Sequence, residues 1–153
     1  MNIQPYLNFN GNTEEAFEFY RSVFGGEFAG GGIMRFKDSP GCAEGPPMSD
    51  DDSGKVMHVC LPIGSSYLMG TDSLESMGQK LTFGDNFSIT VNPDSKEDAD
   101  RVFGGLSAGG KVEMPMQDMF WGAYWGHLTD KFGVQWMVNY MPTPCSDEKE
   151  NTK

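Results

Sequence analysis

Hydrophobic and polar residues follow two different periods in the first part of the chain. From Ile3 to Asn10 an apolar residue occupies every second position, which predicts a half-buried β-strand. From Thr13 onward Phe17, Tyr20 and Phe24 recur at spacings of three and four, which predicts an amphipathic helix. A pair of glycines directly after Phe24 ends the helix.

Three further strands are predicted before residue 80. Residues 27–36 read as a glycine-rich strand, and residues 38–54 as a polar loop rich in Pro, Gly, Ser and Asp. Residues 55–63 and 66–70 are two short apolar strands, joined by a Gly-Ser turn that is typical of a hairpin. A polar connection over 71–79 follows, so this part of the chain forms a strand–helix–three-strand unit.

The same order of elements then repeats. A strand within 81–92 precedes a helix that begins at Ser95, where Ser-Lys-Glu-Asp resembles a capping box. Strands follow at 111–116, 123–130 and 134–140, and aligning Thr13 with Ser95 matches the apolar positions of the two helices. The pattern predicts an α+β fold made of two tandem βαβββ modules.

We expect the modules at about 1–75 and 81–141, within a single domain over 1–141, and a flexible polar tail over 142–153. A module of this kind covers one face of its sheet with its helix and leaves the other face bare. Two curved mixed sheets are therefore expected to enclose a cavity suited to a small molecule.

Charge and composition exclude several classes of partner. The net charge is −11, and the 11 Lys and Arg residues are scattered, which disfavours nucleic acid and anionic membranes. No apolar run reaches the length of a membrane span and no signal peptide is visible, so a cytoplasmic location is expected. Cys42, Cys60 and Cys145 are an odd number at wide spacing, which favours reduced thiols.

The densest aromatic stretch runs from Asp118 to Trp136 and contains all three Trp residues and one of the two His residues. Aromatic side chains suit both protein cores and ligand pockets, and core packing is the competing interpretation for each of them. Eight residues are candidates for binding a ligand. Five belong to this stretch: Asp118, Phe120, Trp121, Tyr124 and Trp136. Three come from elsewhere in the chain: Tyr6, His58 and Phe87.

Candidate chemistry is sparse. His127 and Asp118 are candidates for an acid–base pair near neutral pH, and His58 is the alternative catalytic residue. His58 and Cys60 alternate on one strand and are candidate metal donors, although their apolar neighbours favour a buried, hydrogen-bonded histidine. The acidic run at 50–52 reads as a solvated loop, since the twelfth position from Asp50 is Leu61 and not the Glu of a calcium loop.

Two segments resemble a known family. The opening P-Y-L-N-F-N-G-N-x-E-E-A-F-x-F-Y-x-x-V-F-G-G-E-F and the later D-x-F-W-G-x-x-x-G-x-x-x-D-x-F-G-x-x-W are similar to the PhnB-like subgroup of the vicinal oxygen chelate superfamily. That superfamily includes glyoxalases, extradiol dioxygenases and bleomycin-resistance proteins. The resemblance implies the paired βαβββ fold and a homodimer.

The resemblance also implies four metal-donor positions, one on each of four strands, which enzymes of the superfamily fill with His and Glu. Carried over by strand and phase, they fall at Gln4 or Pro5, near Gly70, at Asn86 or Phe87, and near Met137. None of these is a usual donor for such an ion. We therefore expect no metal site and no cofactor.

The sequence thus favours a metal-free member of the superfamily that binds a small organic ligand in an aromatic cavity. One alternative is an enzyme, either a lyase or isomerase that holds a divalent metal through displaced ligands or a dioxygenase-type member. Another is a resistance protein that sequesters a drug. A demethylubiquinone methyltransferase, a label often given to PhnB-like proteins, finds no support, because no glycine-rich loop for adenosylmethionine follows an apolar strand.

Overall fold

A computed structural model describes residues 1–43 and 47–142, apart from the side chains of Cys42 and Ala43. Nearly all of the predicted tail therefore lies outside the described residues. The chain separates into two compact units, Met1–Phe83 and a second that begins at Gly84. The first contains β1 (Tyr6–Phe9), α1 (Thr13–Phe24), β2 (Met34–Arg35), α2 (Asp50–Gly54), β3 (Val56–Ile63) and β4 (Ser66–Asp72); the second contains β5 (Ile89–Val91), α3 (Lys96–Ser107), β6 (Lys111–Asp118), β7 (Tyr124–Thr129) and β8 (Gln135–Tyr140).

Each unit has a four-stranded mixed sheet, and the two sheets have the same topology. The strand order is β1-β4-β3-β2 in the first unit and β5-β8-β7-β6 in the second. In both, the first strand runs parallel to the last, and the other neighbours are antiparallel. The predicted α+β class and the two βαβββ modules are confirmed.

The two long helices bury the faces that their apolar periodicity predicts. The buried apolar side chains are Ala16, Phe17, Tyr20 and Val23 in α1, and Ala99, Val102, Phe103 and Leu106 in α3, whereas the predicted Phe24 is only half-buried. The Ser95 hydroxyl accepts a hydrogen bond from the Asp98 amide at 3.0 Å, which confirms the predicted cap of α3. Both helices have 12 residues, and no described helix is long and apolar enough to cross a membrane.

The N-terminus of α1 is capped from a distant strand. Asn12 makes no capping side-chain hydrogen bond. Instead Oδ1 of the buried Asp72, at the end of β4, accepts from the amides of Gly11 and Thr13 at 3.0 Å and from the Thr13 hydroxyl at 2.6 Å. Its Oδ2 accepts from the Val56 amide at 2.8 Å. One carboxylate therefore ties β4 to the start of α1 and to the start of β3.

Two glycines show which face of each sheet lies under the helix. A Cβ on Gly70 would lie 2.4 Å from Cε2 of Phe17 in α1, and one on Gly126 would lie 2.7 Å from Cε2 of Phe103 in α3. Because strand residues alternate between faces, their neighbours point away from the helix. We call these surfaces the first open face (Tyr6, Asn8, His58, Cys60 and Met69) and the second open face (Trp125, His127, Thr129, Met137 and Asn139).

Two predicted segments differ from the structure. The strand expected over 27–36 is reduced to Met34–Arg35, because Gly30, Gly31 and Gly32 have φ values of 70°, 89° and 112°, outside the β region. The loop expected over 38–54 contains the short helix α2, whose first turn is capped by the Ser49 hydroxyl. Asp52 in this helix is buried, which corrects the expectation that the whole acidic run is solvated.

We expect Gly104→Ala to raise the free energy of unfolding by about 0.5–1 kcal/mol, because glycine in a helix interior carries a larger entropic cost than alanine. Gly104 lies in α3 and is exposed, and beyond its own helix backbone no atom lies within 4 Å of the place that an alanine methyl group would occupy. Urea denaturation followed by circular dichroism measures the change. A destabilised variant would contradict the open space described at this position.

Candidate functional site

The first open face brings together two of the predicted ligand-binding residues. Tyr6 on β1 and His58 on β3 meet across β4, with the Tyr6 hydroxyl 3.0 Å from Nδ1 of His58. Their rings stack at a centroid distance of 5.8 Å and an interplanar angle of 30°. Tyr6 remains 43% exposed, so the pair is accessible to a ligand.

One arrangement of protons makes Tyr6 the donor of this hydrogen bond. Burial raises the pKa of Tyr6, so the phenol stays protonated at neutral pH and can donate to Nδ1. A neutral imidazole that accepts at Nδ1 carries its proton at Nε2. In this tautomer the hydrogen bond orients the His58 ring and leaves Nε2–H as a donor for a ligand.

Cys60 lies beside His58 on the first open face, and its thiol is free and half-buried. The prediction of a reduced thiol holds for this cysteine. The side chain of Cys42 and all of Cys145 are outside the described part of the chain.

The second open face contains the other histidine. His127 on β7 lies beside Trp125, with ring centroids 6.3 Å apart and nearly parallel planes. Among the described residues, its buried Nε2 atom has no hydrogen-bond partner. Buried polar atoms normally have one, so this nitrogen is available to a ligand or to water.

A cavity of about 450 Å³ adjoins His127. Its polar wall includes Glu113, Thr129 and Gln135. The hydrogen bond from Lys111, at 2.8 Å, is the main cause of the lowered pKa of Glu113, and His127 and the Thr129 hydroxyl contribute. Glu113 is therefore ionised at neutral pH and makes this end of the cavity acidic.

Asp118 and Tyr124 belong to a different cluster, next to α3. Lys96 in α3 forms an ion pair with Asp118 at 2.5 Å and lies 4.7 Å from the centroid of the Tyr124 ring. The Tyr124 hydroxyl donates to Asp100 at 2.7 Å, which is the main cause of its raised pKa. This cluster joins α3 to the hairpin of β6 and β7.

The structure thus corrects the predicted pairing of Asp118 with His127. Asp118 pairs in register with Tyr124, whereas His127 lies three residues further along β7, opposite Met114. An odd separation along a strand places Tyr124 and His127 on opposite faces of the sheet. Asp118 interacts with Lys96 and not with the imidazole.

Trp136, another predicted ligand-binding residue, lies in the core. Its side chain is 1% exposed, and its indole N–H donates to Oδ2 of Asp130 at 2.8 Å. Oδ1 of Asp130 accepts from the amides of Phe132 and Val134 at 2.8 and 3.0 Å. The D-x-F-G-x-x-W part of the sequence motif therefore stabilises the turn between β7 and β8, and Trp136 offers no surface to a ligand here.

Three other aromatic candidates are exposed. Phe120 and Trp121 lie in the turn between β6 and β7, are 96% and 49% exposed, and contact each other edge to face at 4.9 Å. Phe87 precedes β5 and is 60% exposed. Nothing in the structure assigns these side chains to a ligand, and they stay predictions.

The superfamily metal does not fit the residues present. The strands that carry its ligands correspond to β1, β4, β5 and β8, and the side chains that flank their parallel pairings away from the helices are Tyr6, Asn8, Met69, Thr71, Thr90 and Met137. None is an imidazole or a carboxylate, which such ions require. Gly70, one of the carried-over positions, faces α1, and across residues 1–43 and 47–142 no three His, Cys, Asp or Glu are grouped to hold an ion.

Trp125 and Met69 on the open faces and Glu113 in the cavity wall are among the residues that were absent from the predicted set. The signal that finds Trp125 is the alternation within β7. Gly126 is small because it lies against Phe103, so the residues on either side of it point to the open face. Glu113 lies on a strand with irregular register, where alternation does not identify the face.

Comparison with known proteins places these features in one family. The family model described as 3-demethylubiquinone-9 3-methyltransferase matches residues 1–139. The chain is 35% identical to Protein YjdN of Escherichia coli K12 over 144 residues, which are 91% of this chain and 95% of that protein. It is 40% identical to the crystal structure of PA1353 from Pseudomonas aeruginosa, with a TM-score of 0.78 and coverage of 92% and 98%.

Other solved structures extend the comparison to the wider fold. A PhnB protein from Bacillus cereus is 29% identical, with a TM-score of 0.70 over 92% of this chain and 99% of that one. A glyoxalase/bleomycin resistance protein from Albidiferax ferrireducens T118 shares the fold at 18% identity, with a TM-score of 0.60 and coverage of 93% and 99%. The chain therefore belongs to the PhnB-like family, whose model carries the name 3-demethylubiquinone-9 3-methyltransferase, and it shares its fold with glyoxalase/bleomycin resistance proteins.

Proposed function

We propose that this protein binds a small organic ligand on its open faces without the superfamily metal. The observation that carries the proposal is the Tyr6–His58 hydrogen bond on the first open face. It places a half-exposed aromatic pair beside the strands where metal-dependent relatives would carry their ligands. Methyl transfer is not proposed, because both described sheets are mixed and neither has the doubly wound order.

The chemistry of the pair indicates the kind of ligand. The Tyr6 and His58 rings supply stacking surface, and Nε2–H of His58 supplies a hydrogen-bond donor. An aromatic or conjugated molecule with an acceptor oxygen complements both features. The cavity next to His127 supports the proposal independently, since its volume is in the range of about 300–1,000 Å³ typical of ligand pockets.

Tyr6→Phe is expected to weaken ligand binding about tenfold or less, and His58→Gln by about tenfold or more, because a hydrogen bond contributes about 0.5–1.5 kcal/mol. The ligand is first sought by native mass spectrometry of the purified protein and by an NMR screen of aromatic carbonyl compounds, beginning with acetophenone. Affinities are then measured by titration calorimetry, with and without EDTA.

Tyr124→Phe is the matched control. It removes a tyrosine hydroxyl on the helix side of β7, so affinity should be unchanged. Equal loss in Tyr6→Phe and Tyr124→Phe, or binding abolished by EDTA and restored by zinc or nickel, would refute metal-free binding at the first open face.

A second candidate function is acid–base catalysis by His58. The observation that favours it is again the hydrogen bond to Tyr6, which orients an imidazole, the side chain that most often acts as a general acid or base. Incubation with glutathione adducts and diphenols separates the classes: a catalyst turns the molecule over, whereas a carrier or a drug-sequestering protein binds without consuming it.

We further propose that the protein is a cytoplasmic homodimer. Light scattering of the purified protein tests the dimer.

A further inference from the structure

Besides the cavity next to His127 in the second unit, the first unit has a cavity of its own. Its lining includes none of the residues of the first open face. It has a volume of about 630 Å³. Five of its lining side chains are apolar, and three of these are thioethers: Phe36, Pro47, Met48, Met57 and Met77. The polar part of the lining includes Ser49, Asp52 and Ser76.

Four separate segments build this cavity, and one buried carboxylate holds three of them together. Oδ1 of Asp52 accepts from Nζ of Lys55 at 2.7 Å, and Oδ2 accepts from the Ser76 hydroxyl at 2.5 Å. The Asp52 amide donates to the Ser49 hydroxyl at 3.1 Å. These bonds connect the start of α2, the residue before β3, and the turn at Glu75–Met77, so the polar wall is held in place without a ligand.

The same bonds determine the charge that the cavity offers. The hydrogen bond from Lys55 is the largest cause of the lowered pKa of Asp52, and that from Ser76 adds to it, so the carboxylate is ionised at neutral pH. Its nearest counter-ion is the ammonium of Lys55 at 2.7 Å, which also pairs at 3.0 Å with Asp51, a residue that is 84% exposed and does not line the cavity. Both carboxylate oxygens are already hydrogen-bonded, and the polar wall therefore favours an uncharged ligand.

The apolar wall indicates the shape of that ligand. Methionine side chains are flexible and polarisable, and their sulfur atoms make favourable contacts with aromatic rings. With Phe36, the three thioethers form a surface that adapts to a flat molecule. The volume falls within the range of about 300–1,000 Å³ that small-molecule sites occupy.

We propose that this cavity is a second binding site, distinct from the open faces, for an uncharged aromatic molecule of one or two rings. The site goes beyond the proposed function and does not depend on Tyr6 or His58. Indole is a suitable probe, because it is uncharged and flat. Tryptamine and indole-3-acetate carry the same ring with a positive or negative charge.

The experiment uses the full chain with ¹³C-labelled methionine methyl groups and follows the methyl resonances by NMR. Met48→Leu, Met57→Leu and Met77→Leu assign the three signals. Indole should shift these signals saturably, with an affinity at least tenfold higher than that of tryptamine or indole-3-acetate. Met77→Glu should weaken indole binding at least tenfold, whereas Met77→Leu should retain it.

Met77 is 68% exposed, so both substitutions leave the core intact. Three results would overturn the proposal: no saturable shift of the three signals, equal indole binding by Met77→Glu and the unaltered protein, or tighter binding of tryptamine than of indole. His58→Gln distinguishes this site from the first open face. Unchanged indole binding in that variant supports a second site, whereas its loss assigns the probe to the first open face.

Discussion

Replacing Asp72 by alanine is expected to lower the free energy of unfolding by at least about 4 kcal/mol, since it removes the acceptor of four donors and each buried donor left unsatisfied costs about 1–3 kcal/mol. The carboxylate accepts four hydrogen bonds, from three backbone amides and one hydroxyl. Alanine leaves all four donors without this acceptor, at a site that is 3% exposed. Loops near Gly11 and Val56 should loosen together.

Urea denaturation of the full chain measures this effect, and hydrogen exchange at the Thr13 and Val56 amides locates it. Asp51→Ala is the matched control, because Asp51 is 84% exposed and its only described ion pair is with Lys55. Surface pairs contribute about 0–1 kcal/mol, so this control should change stability by no more than that. An Asp72 variant as stable as the Asp51 variant would show that the four hydrogen bonds do not hold the unit together.

Gly110→Ala is expected to destabilise the protein by about 2–3 kcal/mol, the upper part of the usual range for forcing a methyl group into packed surroundings. A Cβ at this position would lie 2.4 Å from the carbonyl oxygen of Thr129 and 2.9 Å from two backbone atoms of Asp130. These are main-chain atoms at the end of β7. They cannot move aside easily, because the Asp130 carboxylate accepts hydrogen bonds from the amides of Phe132 and Val134 and from the Trp136 indole.

Gly104→Ala is the matched control for this substitution, since it is the same chemical change a few residues earlier in the same unit. Both replacements restrict the unfolded chain equally, so the difference between them isolates the steric clash. The two variants should move the urea midpoint in opposite directions. A Gly110 variant with unaltered stability would mean that β6 and the turn after β7 separate at little cost.

The parts of the fold that local patterns determine could be predicted, and the parts that depend on distant partners could not. The helix faces of α1 and α3 and the Ser95 cap follow from residues within one or two turns of each other. Asp72, by contrast, caps a helix that begins 59 positions earlier in the chain, and no local signal connects them. The short helix α2 was missed because its acidic, Ser- and Gly-containing sequence is equally typical of a loop.

The candidate site shows the same division. Tyr6 and His58 were both predicted to bind a ligand, and the structure brings them into contact. Trp136 and Tyr124 were predicted with them, but alternation alone does not say which set of residues faces the helix. Gly126 settles the question only once its approach to Phe103 is known. The later family motif thus contributes to two structural clusters. Asp118 pairs with Lys96 in one, and Asp130 pairs with Trp136 in the other.

The pairing of the first strand with the last in each unit has a consequence for synthesis of the chain. Leu7 finds its partner only at Gly70, and Ile89 only at Trp136. Pairing these strands closes a loop of more than 40 residues in each unit, and closing a loop costs conformational entropy. On the ribosome, the Gly11 and Thr13 amides at the start of α1 have no Asp72 carboxylate to bind until that residue has left the exit tunnel. Each half of the protein can therefore complete its sheet only after its own final strand has been synthesised.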